Sequence, residues 1–147
     1  MKTKQIIFSY IKNGATEKTK SILDEIVNVG GFEILEMKPF LFNEARAKRF
    51  YEEHKEKPFF EGLWKFTIEV PVLVMVLTHP TSEDVIADFR KFIGATDPNK
   101  AELGTIRERY GDKETYARGI PANAIHASDS HENAVRECKL VGFLGYE

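Results

Sequence analysis

Apolar residues change their spacing from segment to segment along this chain, and the changes mark out its elements. Gln5 to Ile11 packs Ile6, Ile7, Phe8, Tyr10 and Ile11 too densely for one helical face, which predicts a buried strand. Thr19 to Val29 places Ile22, Leu23, Ile26 and Val29 at helical intervals, and Gly30-Gly31 stops that helix. Phe32 to Phe40 alternates imperfectly and predicts a second strand. Asn43 offers a cap to a helix from Glu44 to about His54; after the break at Pro58, a short helix is expected from Phe59 to Phe66. Val70 to Leu77 is apolar and β-branched, as a central strand is. Thr81-Ser82-Glu83-Asp84 opens a helix that runs to Ile93 and closes at Gly94. Thr96 to Ala122 is long, polar and weakly periodic, and a loop of that length in a compact domain usually carries function. Asn123 to Ala127 predicts a last short strand. Asp129 with Glu132 then offers a capping pair for a helix that buries Ala134, Val135, Cys138 and Val141.

The order β-α-β-(α-α)-β-α-loop-β-α is an α+β pattern. Without the inserted helix pair and the extra C-terminal helix, it is the ferredoxin-like split βαβ arrangement, with an antiparallel four-stranded sheet and helices mainly on one face. No repeat, linker or composition shift divides the chain, so residues 1–147 read as one domain.

Composition adds mostly exclusions. A chain that is 42% hydrophobic and 30% charged, with a net charge of −2, has no global pull toward nucleic acid or membrane. No basic stripe is evident, though a local basic cleft stays open. The apolar run Val70 to Leu77 is too short to span a bilayer, and Met1-Lys2-Thr3-Lys4 lacks the apolar core of a signal peptide. A lone cysteine, Cys138, forms no internal disulfide and reads as a buried small residue; a cytoplasmic protein is the default. No Cys/His cluster has metal-ligand spacing, and no Gly-x-x-x-x-Gly-Lys-Ser/Thr phosphate loop occurs.

Candidate chemistry centres on Asn123-Ala124-Ile125-His126-Ala127-Ser128-Asp129-Ser130-His131-Glu132. A histidine at the end of a short strand, before a turn of small polar residues, can be held and presented to a cavity. Its neutral imidazole is a competent nucleophile near neutral pH. The other ring nitrogen must then be held, and Glu137 on the following helix is the candidate; Ser128 could support that carboxylate or the turn. Taken alone, many residues have plainer readings. Arg90 and Lys91 can answer a helix dipole, and Arg107 and Arg109 can be solvated loop charges. Tyr51 and Phe60 can be packing, and His79 and His131 exposed bystanders.

The string around His126 resembles the active-site signature of the nucleoside diphosphate kinases, Asn-x-x-His-Gly/Ala-Ser-Asp-Ser-x-Glu. The resemblance runs along nearly the whole chain. Phe8-Ser9-Tyr10-Ile11-Lys12-Asn13-Gly14-Ala15 is similar to the family's first strand and turn, with Asn13-Gly14 where Pro-Asp is usual. Tyr51 to Phe60 resembles Tyr-x-x-His-Lys-x-Arg-Pro-Phe-Phe, Arg90 to Pro98 resembles Arg-x-x-x-Gly-x-Thr-Asn-Pro, and Gly104-Thr105-Ile106-Arg107 matches Gly-Thr-Ile-Arg.

The resemblance implies a γ-phosphate transfer from nucleoside triphosphate to diphosphate, in two steps through phosphohistidine at His126. It implies that Lys12 and Tyr51 flank His126, and that Phe59 and Leu63 form the base slot. Lys12 and Asn123 would hold sugar and terminal phosphate, and His54 would approach the α-phosphate. Arg90 and Thr96 would hold the β-phosphate, and Arg107 the transferred group. It implies Mg²⁺ carried on the nucleotide phosphates, and a homo-oligomer that is a hexamer, tetramer or dimer. The chain is longer than the common pattern around Tyr110 to Tyr116, which suggests a lid or an altered subunit contact. The alternative is a non-catalytic nucleotide sensor or assembly subunit on the same fold.

Overall fold

The computed structural model describes residues 5–13 and 15–147. The Met1-Lys2-Thr3-Lys4 start and Gly14 lie outside the described residues. Four strands, β1 (Ile7–Ile11), β2 (Glu33–Phe40), β3 (Val72–Thr78) and β4 (Ile125–Ala127), form one sheet in the order β2-β3-β1-β4, every pair antiparallel. This is the expected ferredoxin-like sheet.

Seven α-helices accompany the sheet among the described residues: α1 (Thr19–Asp24), α2 (Glu44–Phe50), α3 (Phe60–Thr67), α4 (Val85–Ile93), α5 (Ile106–Tyr110), α6 (Lys113–Ala117) and α7 (His131–Leu140). They cover both faces of the sheet rather than mainly one. On one side, Phe8, Tyr10, Val74 and Val76 pack with Ala47, Phe50, Leu63, Trp64, Ala134 and Cys138 of α2, α3 and α7. On the other, Ile7, Ile11, Met75 and Leu77 pack with Ile22 of α1, with Val85, Phe89 and Ile93 of α4, and with Ile106 of α5. Side chains alternate across a strand, so burial of both faces turns a strand into a continuous apolar run. That is why the first and third strands were so legible.

Several boundaries moved. The first helix begins as a 3₁₀ turn at Thr16–Lys18 and ends as a π-helical turn at Glu25–Val29, where Gly30 N donates to Glu25 O; Gly31 then turns the chain at φ 72°. The uneven alternation of β2 has a cause in a bulge between Ile34 and Glu36. The helix expected from Glu44 to His54 breaks at Tyr51 and continues as a 3₁₀ turn, Glu52–His54. The cap of α4 is Asp84, so Thr81 and Ser82 lie outside that helix, and their N–H groups donate to His79 Nδ1 at 3.2 Å each. His79 Nε2 in turn meets Gly30 O at 3.1 Å, so this histidine ties two turns together and is no bystander. The cap of α7 is Ser130, not Asp129, and Val135 is only partly buried. The long segment 96–122 holds α5 and α6, each only five residues, too short for clear periodicity. No helix among the described residues is long and apolar enough to cross a membrane.

Candidate active site

β4 is an end strand among the described residues, and this fixes the site. The backbone of Ala124 and Ser128 faces β1, where Lys12 N donates to Ala124 O and Ser128 N to Phe8 O. The carbonyls of Ile125 and Ala127 therefore point away from β1. Arg107 takes the first, with Nε at 3.3 Å and Nη2 at 2.9 Å, and its Nη1 reaches Gly94 O at 3.1 Å. Arg90 Nη1 takes Ala127 O at 3.1 Å. Both arginines are thus held against the free edge of the strand that carries the histidine. Arg107 is 5% exposed, which rules out a solvated loop charge. Ala124 bends the entry to β4 at φ 74°, a left-handed conformation that costs a non-glycine residue about 1–2 kcal/mol. Such strain persists where the surroundings enforce it, here the Lys12 N–H on the Ala124 carbonyl.

His126 projects to the α2–α3–α7 side. Its Nε2 lies 2.8 Å from Glu137 Oε1, and Ser128 Oγ donates to the same carboxylate oxygen at 2.9 Å. Glu137 is 3% exposed, and α7, which carries it, is docked by Arg136, whose guanidinium donates to Arg49 O and Phe50 O. An ionised carboxylate only accepts, so Nε2 carries the proton and the lone pair sits on Nδ1. Tyr10 stacks on the imidazole at 5.2 Å and 25°, while Phe50 and Tyr51 meet it edge-on. The Tyr10 and Tyr51 hydroxyls are hydrogen-bonded to each other. Burial in this ring cage pulls the His126 pKa down; Glu137 pulls it up, and burial wins.

A cleft of about 570 Å³ opens onto this group. It gathers Lys12, Tyr51, His54, Phe59, Leu63, Arg90, Thr96, Arg107, Asn123, His126 and Glu137, so every expected site residue except the supporting Ser128 lines it. Lys12 reaches in despite its altered turn, with Nζ on Pro121 O at 3.3 Å; burial, and then Arg107, push its ammonium down to about 7. Arg107 itself falls to about 10, by burial first and Arg90 second. Asn123 Nδ2 donates to Thr96 O at 2.9 Å, while its buried Oδ1 has no partner among the described residues. Phe59 is exposed at the mouth, 5.4 Å from the His54 ring, and Leu63 is buried below. The arrangement supplies a nucleophilic nitrogen, three cations and an aromatic platform, which is what transfer of an anionic group from a planar-ringed carrier needs.

Sequence reasoning missed Tyr10, read as core, because its place opposite His126 depends on the β1–β4 register. It also missed Glu53, Ile120, Pro121 and Asp129 in the cleft lining, whereas the insertion around Tyr110 to Tyr116, read as a lid or an altered subunit contact, contributes Tyr116 to that lining. The unusual length of segment 96–122 was the one available signal for Tyr116, Ile120 and Pro121.

The family model described as nucleoside diphosphate kinase matches residues 5–143. A relative from Granulibacter bethesdensis, named nucleoside diphosphate kinase, is 40% identical over 131 residues, 88% of this chain and 87% of its own. One of the same name from Helicobacter pylori is 41% identical over 136 residues, covering 91% and 92%. The Aquifex aeolicus nucleoside diphosphate kinase structure superposes with a TM-score of 0.81 at 36% identity, covering 95% of each chain. That of Halobacterium salinarum, solved with CDP, gives 0.80 at 30% identity over 94% of this chain and 87% of its own.

Proposed function

We propose, for a chain that belongs to the nucleoside diphosphate kinase family and is thereby a phosphotransferase, that His126 carries the phosphoryl group between two nucleotides. The carrying observation is the Nε2–Glu137 hydrogen bond, which leaves Nδ1 as the nucleophilic nitrogen. Nδ1 attacks the γ-phosphorus of a nucleoside triphosphate. The N–P bond forms as the bond to the β–γ bridging oxygen breaks, and the nucleoside diphosphate leaves with that electron pair. A terminal oxygen of a second nucleoside diphosphate then attacks the phosphorus, the N–P bond breaks, and the electron pair returns to Nδ1.

Lys12, Arg90 and Arg107 offset the phosphate charge, and phosphoryl transfer depends mainly on such positioning and field. Phe59 offers a stacking face that ignores base identity, Leu63 the slot beneath it, and His54 lies between that platform and Tyr51. Thr96 supplies a hydroxyl, and Asn123 Oδ1 an acceptor for a sugar hydroxyl. Mg²⁺ fits this donor set only as a passenger. No group of three or more His, Cys, Asp or Glu suited to a metal occurs among the described residues, yet Asp129 lines the cleft, its carboxyl held low by Asn133. Asp129 would face the water shell of an ion that rides on the phosphates and neutralises their charge.

The test is incubation with γ-labelled ATP and Mg²⁺, followed by a search for acid-labile label on the protein. Nucleotide binding without label would favour a sensor. We read residues 1–147 as one catalytic domain working in the cytoplasm. We also infer a closed homo-oligomer: β2 ends the sheet among the described residues with Leu35 and Met37 exposed, an edge that invites a covering partner. Light scattering should return a multiple of 16.8 kDa, and a monomer at micromolar concentration would sink the idea.

The pH dependence follows from two lowered pKa values. A histidine whose pKa is depressed gives up its proton at lower pH, so the nucleophile persists below the ordinary value of about 6.5. A lysine depressed to about 7 loses its charge as pH rises through 7. The kcat/KM profile, which reports the free enzyme, should therefore have its acid limb below the ordinary histidine value and an alkaline limb near 7. Lys12→Arg should move the alkaline limb upward, and a wild-type profile flat into the alkaline range would remove Lys12 from the clamp.

A further inference from the structure

The polar segment after Arg107 is fastened into the cleft wall. Asp112 N donates to Ala122 O at 2.9 Å, next to Asn123, and Asp112 Oδ1 caps α6 through Thr115 N at 3.0 Å. Asn99 Nδ2 donates to Lys113 O at 3.2 Å, and Lys113 Nζ sits 2.9 Å from Glu108 Oε2 of α5. These ties anchor the short helix α6 to the turn after Thr96, to α5 and to the start of the His126 segment.

Tyr116 of α6 lines the same cleft as Lys12, Arg107 and Asn123. It is half-buried, and among the described residues its hydroxyl has no hydrogen-bond partner. The charges it feels are those of Asp97 and Arg107, and burial keeps the phenol protonated well past neutral pH, so it is an O–H donor under working conditions. Arg107, fixed by the Ile125 and Gly94 carbonyls, has further N–H groups left for a ligand. A half-buried donor without an acceptor among the described residues, in one cleft with a clamped guanidinium whose charge it feels, matches the oxygen-rich surface of a phosphate chain.

We propose that Tyr116 is a nucleotide-binding residue whose O–H donates to a phosphate oxygen of the bound nucleoside di- or triphosphate beside Arg107. The segment between Arg107 and Asn123 thereby adds its own donor to the phosphate clamp. The inference rests on the nucleotide reading of the cleft.

Isothermal titration with ADP and NMR titration with adenosine, on wild type and Tyr116→Phe, tests it. The phenylalanine keeps the ring and removes only the hydroxyl. The variant should bind ADP about tenfold more weakly, the order for one hydrogen bond to a charged group, with adenosine affinity unchanged. An ADP affinity within about twofold of wild type, well below that expectation, overturns the proposal; so does an equal loss for adenosine, which would put the phenol on sugar or base. Labelling of wild type by γ-labelled ATP is read separately: its absence counts against phosphoryl transfer, whereas the two affinities decide Tyr116.

Discussion

A His126→Ala variant is expected to take no label from γ-labelled ATP, and its transfer rate should fall about 10⁴-fold or more, the order seen when a covalent nucleophile is removed. The expectation rests on how little else in the cleft could replace it. The other lining histidine, His54, sits toward Phe59 at the mouth, and the carboxylate 3.7 Å from it is the exposed Glu53, not a buried orienting acid. The tautomer of His126 is set by a buried acid that is itself supported by Ser128, and its desolvation by Tyr10, Phe50 and Tyr51. Alanine empties that ring cage and takes the imidazole from Glu137, which keeps Ser128 and, at 3.9 Å, Arg136, so some stability is lost as well. ADP affinity is the control for folding, because Lys12, Arg107 and Phe59 remain. Label on the alanine variant would move the chemistry to another residue.

Arg107→Ala should cost both stability and turnover. Truncation leaves the Ile125 and Gly94 carbonyls without this donor, at about 1–3 kcal/mol for the buried Ile125 group and less for the part-buried Gly94 group. Removing a cation whose burial depresses its pKa to about 10 returns part of that. A net loss of about 2 kcal/mol, seen as a melting point lower by about 4–8 °C for a chain of this size, is expected. Turnover should fall about 10²–10³-fold, as when one preorganised charge donor is withdrawn from a transition state. Arg107→Lys separates the two effects. A lysine restores a charge but not the planar fork that bridges two carbonyls, so it should recover part of the rate and little of the melting point. Full recovery of both by lysine would show that the fork geometry is idle.

Much of this was legible in the chain itself. Strands buried on both faces, such as Ile7–Ile11 and Val72–Thr78, announce themselves as unbroken apolar runs, and a string as long as Asn123 to Glu132 identifies the histidine. Helix ends were less legible. Asn43 was a readable cap because its side chain meets the backbone three residues on, whereas Asp84 and Ser130 each had competing polar neighbours that could have served. In segment 96–122, α5 and α6 are too short to generate a period, and capping by Thr105 and Asp112 defines them only once the chain has folded around them.

The sequence by itself determined the strand run, the α+β class and the residue types of a phosphate-handling site, because these depend on local spacing and side-chain chemistry. Tertiary structure alone decided which atoms meet. β4 had to become an end strand before its outer carbonyls could hold Arg90 and Arg107. The β1–β4 register had to bring Tyr10 over His126, and α7 had to fold back for Glu137 to meet Nε2 and leave Nδ1 the free ring nitrogen. The charges of Lys12 and His126 likewise follow from burial, which is set by residues distant along the chain. Long-range pairing has no local period to betray it, so the same letters that name the histidine leave its working nitrogen to the fold.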